Sequence, residues 1–172
     1  MALKSFSFKT KDGFEHWVNR WIPEAANPEE PPKIKAAIVF NHGLAEHSLR
    51  YDRFGTILAE NGYVFNAFDM RGHGRTAELS IANGTGDFGK LADKNGFNRA
   101  VADVDEMIDA VTQEYPGVPV ILMAHSFGTF IAQSSRRCSR PPQSPLQYTV
   151  RRHQSSTQTW SATPASTAVS LP

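Results

Sequence analysis

The sequence predicts an α/β protein built on a mostly parallel, doubly wound sheet with an N-terminal hairpin. Three observations predict it. Short, continuously apolar runs recur after Ala36, Tyr63 and Val120, as in strands buried on both faces of a parallel sheet. Segments of helical periodicity separate them, which is the alternation that carries crossover helices onto the sheet. Ahead of the first run, two aromatic-rich stretches flank Asp12-Gly13, a turn signal of the kind that joins antiparallel strands.

Taken in order, Phe6 and Phe8 alternate with polar residues, and residues 14–22 form the return strand of the hairpin. Residues 23–33 combine four prolines with acidic and amide side chains, so they must be a surface connection and not a central strand. The run AAIVFN from Ala36 breaks at Gly43 and reads as the first buried strand. In residues 51–61, Phe54, Ile57 and Leu58 share one face, predicting a core-facing helix that Gly62 stops. A strand over residues 63–68 leads to Asp69. Residues 70–96 are rich in glycine and polar side chains and read as a loop or a short irregular helix. Val101, Val104, Ile108 and Val111 then define an amphipathic helix of about four turns closing near Tyr115-Pro116, and residues 120–123 are the third buried strand.

The domain boundary falls after residue 133. Of the 40 residues from Gln133 onward, 29 are Ser, Thr, Pro, Gln or Arg, without hydrophobic period. Such a segment buries too little apolar surface to offset chain entropy, so residues 134–172 are expected to be a disordered tail, and the abruptness of the change suggests an out-of-frame end. That tail holds five arginines and no acid, against 13 basic and 17 acidic residues in the first 132. A formal net charge of +1 overall demands no nucleic acid partner. The single cysteine, Cys138, excludes an internal disulfide and fits a reducing, cytoplasmic setting. No apolar run has the length of a signal peptide or a membrane span.

The chemistry-bearing motif is Ala124-His125-Ser126-Phe127-Gly128, a small-x-Ser-x-small turn between a buried strand and a helical start. Such a nucleophile elbow forces its serine into a strained backbone conformation that exposes the hydroxyl, and Ala124 and Gly128 must be small because strand and helix pass close by. A second loop, Asn41-His42-Gly43-Leu44-Ala45-Glu46-His47, follows the first buried strand, where a backbone N–H can face a developing oxyanion. For His42 and His47 the favoured reading is orientation of the loop backbone or a surface position, without proton transfer. No cluster of metal-ligand spacing accompanies them, so neither metal nor cofactor is implied. A third loop, Asp69-Met70-Arg71-Gly72-His73-Gly74, again follows a buried strand.

Taken together, His42-Gly43-Leu44-Ala45-Glu46-His47, then Tyr51-Asp52-Arg53-Phe54, then Asp69 to Gly74, then Ala124 to Gly128 resemble the monoacylglycerol lipase, lysophospholipase and serine aminopeptidase-like branch of the α/β-hydrolases. The resemblance covers about residues 6–133, the N-terminal half of that fold, so the domain is expected to be a truncated α/β-hydrolase. It implies ester hydrolysis through an acyl-enzyme on Ser126. The oxyanion amides would be those of Leu44 and Phe127, supported by His42, Gly43, His125 and Gly128. Asp69 and Arg71 would fix their own turn by hydrogen bonds. The partner implied is a small ester or lipid substrate, with at most peripheral membrane contact.

The pattern then fails. In this fold the triad runs Ser, acid, His in chain order, yet no Asp or Glu follows Ser126, and the only later histidine, His153, lies in an arginine- and serine-rich stretch. A serine hydroxyl is a poor nucleophile without an oriented imidazole. The chain as written is therefore expected to be catalytically incomplete, with an open sheet edge that lowers its stability. The alternative reading is a non-catalytic binding or regulatory fragment whose basic tail meets an acidic partner.

Overall fold

The computed structural model describes residues 1–25, 27, 29–135, 147–151 and 157–160, the last two segments as backbone only. Strands β1 (Ala2–Lys9) and β2 (Glu15–Ile22) form the expected antiparallel hairpin, with Phe6 opposite Val18 and Phe8 opposite His16. β2 then pairs antiparallel with β4 (Tyr63–Phe68), and β4 pairs parallel with β3 (Ala36–Asn41), which pairs parallel with β5 (Val120–Ala124). Every residue of β3 is buried, as two-sided coverage requires.

Helix α1 (Asp52–Glu60) covers one face of the sheet over Trp21, Ile38, Phe40, Phe65 and Ala67. The 19-residue α3 (Gly96–Glu114) and α4 (Phe127–Ser134) cover the other, where Val104, Met107, Ile108, Val111 and Ile131 meet Val39, Val64 and Leu122. No helix of the described residues is long and apolar enough to cross a membrane.

Two elements differ from the reading of the sequence. On α1 the core-facing residues are Gly55 and Ala59, while Phe54 and Ile57 are exposed. A Cβ on Gly55 would overlap the Trp21 ring, so the helix lies too close to the sheet for large side chains beneath it, and Phe54 reaches only the edge of Phe65, 5.5 Å between centroids. Residues 74–82, within the stretch read as a loop or a short irregular helix, form a regular nine-residue helix, α2 (Gly74–Ala82). Its N-terminus has no local side-chain cap. Asp69, outside the helix, accepts the Arg75 N–H at 2.7 Å instead, supplying a partner that a first-turn donor otherwise lacks.

The tail departs from expectation over two segments. β6 (Gln147–Arg151) pairs parallel with β5, and β7 (Thr157–Trp160) pairs antiparallel with β6, giving the order β1-β2-β4-β3-β5-β6-β7. The edge of β5 presents unpaired backbone groups that template another strand whatever its side chains, so composition alone did not reveal these pairings. The rest of residues 136–172, including Cys138 and His153, lies outside the described residues.

Candidate active site

β5 delivers the chain to the carboxyl end of the parallel strands, where Ser126 stands between strand and helix at φ 50°, ψ −122°. Residues bearing a Cβ rarely occupy this region, at a cost of order 1–3 kcal/mol. The turn is held from both sides. His125 N–H donates to Asn41 O at 3.0 Å, the His125 carbonyl accepts the Gly128 N–H at 2.9 Å, and the Ser126 carbonyl accepts both N–H and hydroxyl of Thr129 at 2.9 and 2.6 Å. A Cβ on Gly128 would overlap the carbonyl oxygens of Asn41 and His42. The smallness of that position thus comes from the end of β3, against which α4 opens. Ser126 itself is exposed, and Phe127 is the first residue of α4, where N–H groups have no intrahelical acceptor.

The loop after β3 runs directly against this turn. The position of a Cβ on Gly43 lies 3.0 Å from the Ser126 Cβ and 3.2 Å from Glu46 Oε2, so any side chain there would push its neighbours by a few tenths of an ångström. Leu44 follows, 57% exposed, and Ala45 adopts φ 55°. Gly43 therefore stands against Ser126, with Leu44 next to it in the loop and Phe127 next to Ser126 at the start of α4.

His42 is fully buried and anchors this loop to the next. Its Nε2 accepts the Met70 N–H at 3.0 Å, so Nδ1 carries the proton and donates to Gly43 O at 2.7 Å. Burial pushes its pKa down to about 4, the Gly43 carbonyl and the Asp69 carboxylate opposing only in part. A neutral ring with both nitrogens engaged is a tether and not a proton acceptor. His47 is exposed at the start of a 3₁₀ turn, Ser48–Tyr51.

Asp69 ties its turn together as expected: Oδ1 accepts the Ser48 N–H at 2.6 Å and Oδ2 that of Arg75. Arg71 does not serve its own turn. Its guanidinium leaves the loop to make a two-pronged contact with Asp103 of α3, at 2.7 and 2.8 Å, and a third bond to Asp12 in the hairpin turn, 2.7 Å, while covering the Phe14 ring at 4.1 Å. Burial opposes ionisation of Asp103, but Arg71 and His16 outweigh it and hold its carboxyl below the usual range.

One residue of the loop motif was given no role by the sequence reading. Glu46 accepts three donors on one oxygen: Gly43 N–H at 3.0 Å, Tyr51 O–H at 2.6 Å and, at 3.3 Å, the Nδ1 of His125. Burial works against its charge, but the bonds from Tyr51, Gly43 and His125 hold its pKa below the ordinary value. The signal available in sequence was its spacing, three residues after Gly43 and five before Tyr51.

Residues 32–144 match the serine aminopeptidase S33 family of hydrolases. A monoglyceride lipase homologue of monkeypox virus is 35% identical over 99 residues, 57% of this chain and 32% of the viral protein. Human monoglyceride lipase is 34% identical over 98 residues, 57% of this chain and 29% of the human one. The chain thus spans about a third of the length of these curated relatives. Among solved structures, a lipase in its open form superposes with a TM-score of 0.69 at 25% identity, over 87% of this chain and 44% of the lipase. A thermostable carboxyl esterase from Bacillus coagulans gives 0.63 at 27%, over 78% and 40%.

Proposed function

From the premise that this chain belongs to the serine aminopeptidase S33 family of α/β-hydrolases, we propose that it carries the nucleophilic half of a carboxylic-ester hydrolase, with Ser126 as the attacking residue. Its substrates are monoacylglycerols, lysophospholipids or related small esters, the first in keeping with the monoglyceride lipases among its relatives. The observation that carries the reading is the backbone of Ser126: a positive φ at the junction of a buried strand and a helix, with the hydroxyl-bearing residue exposed and the Gly43 loop packed against it.

In the acylation step Ser126 Oγ bonds to the ester carbon, the carbonyl oxygen takes up negative charge, and collapse expels the alcohol. The N–H groups of Phe127 and Leu44 stabilise that oxygen, each contributing about 3 kcal/mol. The proton leaving Oγ requires an imidazole held by a carboxylate. Among the 172 residues no acid follows Glu114, and His42 is committed to Met70 and Gly43. The chain alone therefore turns over esters feebly, lacking the later acid and histidine of the triad.

A fluorophosphonate probe tests both parts. Labelling is expected to be slow, to map to Ser126, and to vanish in Ser126→Ala, while a full-length monoglyceride lipase labels fast. Label at another residue would refute the nucleophile; labelling as fast as the full-length enzyme would refute the incompleteness.

A further inference from the structure

Glu46 has a position that neither a surface glutamate nor a simple loop residue needs. Its side chain is 11% exposed, and one carboxylate oxygen, Oε2, gathers donors from three separate places: the backbone of its own loop at Gly43, the hydroxyl of Tyr51 at the end of the 3₁₀ turn, and the imidazole of His125 at the nucleophile turn. Its other oxygen lies 3.7 Å from Arg50 Nε. Between Gly43 and Glu46 stands Ala45, whose φ of 55° is one that alanine does not adopt for its own sake. A loop of that shape persists only where its surroundings over-determine it, and the Glu46 bonds are the ones that bridge it.

We propose that Glu46 is the positioning residue of the oxyanion loop, its carboxylate fastening Gly43 to the nucleophile turn and to Tyr51 so that the Leu44 N–H is held toward Ser126. The proposal rests on the assignment of Ser126 and Leu44 given above. Glu46 acts through the backbone and touches neither substrate nor the reacting atoms. Losing it frees the loop to rotate, and the Leu44 amide then points at the developing oxyanion only part of the time. Removing an oxyanion donor outright costs about 100- to 1000-fold in rate, so loosening one is expected to cost about 10-fold.

The test separates oxyanion stabilisation from access to the site. In the full chain, Cys138→Ser combined with Ser126→Cys leaves one thiol, at the nucleophile position. Two reagents are then compared. With p-nitrophenyl acetate, sulfur bonds to the acyl carbon, p-nitrophenolate departs, the thiol proton passes to buffer, and an oxyanion forms on the way. With iodoacetamide, sulfur displaces iodide and no oxyanion forms. Adding Glu46→Ala is expected to slow acylation about 10-fold and to leave alkylation within about twofold. Glu46→Gln, which keeps an oxygen for the Gly43 N–H, is expected to restore most of the loss. Equal slowing of both reactions, or no change in either, would overturn the proposal. A Glu46-dependent ratio in the cysteine variants, alongside wild-type Ser126 that never labels with fluorophosphonate, would retain the positioning role and count against Ser126 as nucleophile.

Discussion

Two polar clusters lie under the loops that follow the parallel strands, and they are built to opposite ends. Around Arg71 the cluster is sealed: Arg71, Asp103 and His16 are buried, and the loop after β4, helix α3 and the hairpin each contribute a partner. Around Glu46 it is open, since its neighbour Leu44 and the adjacent Ser126 face solvent and His125 is 43% exposed. A sealed pair holds elements in place through charges that must stay matched. The open one joins the loop after β3 to the turn at Ser126, beside an exposed serine. The same residue types thus sit sealed at one loop and beside solvent at the next.

The comparison breaks most visibly at Arg71. Arg71→Ala would leave Asp103 buried with His16 as its remaining charged partner, which costs about 3 kcal/mol or more, read as a lower urea midpoint; Arg71→Met with Asp103→Leu should recover most of it, because the pair itself adds little over apolar packing. A full loss in both would mean that the ion pair matters beyond matching charge. Glu46→Ala removes an acceptor from the Gly43 N–H and the Tyr51 O–H and should cost about 1–3 kcal/mol, less than Arg71→Ala.

His42 sharpens the contrast with a pH signature. An unfolded histidine takes up a proton near the ordinary value of 6.5, whereas the folded ring refuses it until about 4. The stabilisation is therefore complete above pH 6.5 and is lost as pH falls toward 4, by about 3 kcal/mol. Ring nitrogen shifts in NMR at pH 5.5 should show His42 neutral, with the proton on Nδ1. A charged ring at that pH would contradict the tether.

The smallest effect concerns strain. Ser126→Gly should raise stability by about 1 kcal/mol, since glycine occupies the φ of 50° at little cost, and should end probe labelling. Unchanged or lower stability would show that the turn stores no strain at this residue.

What could be read in the sequence was what depends on neighbours along the chain. The apolar runs of β3, β4 and β5, the period of Val104, Ile108 and Val111, and the strand-turn-helix around Ser126 are local patterns, and each stands where it was expected. What could not be read depends on partners far away. Asp103 looks like a solvent-facing acid until Arg71, 32 residues earlier, meets it. Helix α1 turns Gly55 inward because Trp21, on the second strand of the hairpin, lies beneath. Glu46 belongs to the site through His125, 79 residues on.

The central claim is that the oxygen of residue 126 is the atom that attacks an ester carbon. Peptide-resolved mass spectrometry after incubation with excess p-nitrophenyl butyrate tests it most directly. An acyl group confined to the peptide spanning Ser126, and absent from Ser126→Ala, is the predicted result. Acyl groups scattered over lysines, or accumulating equally in the alanine variant, would contradict it.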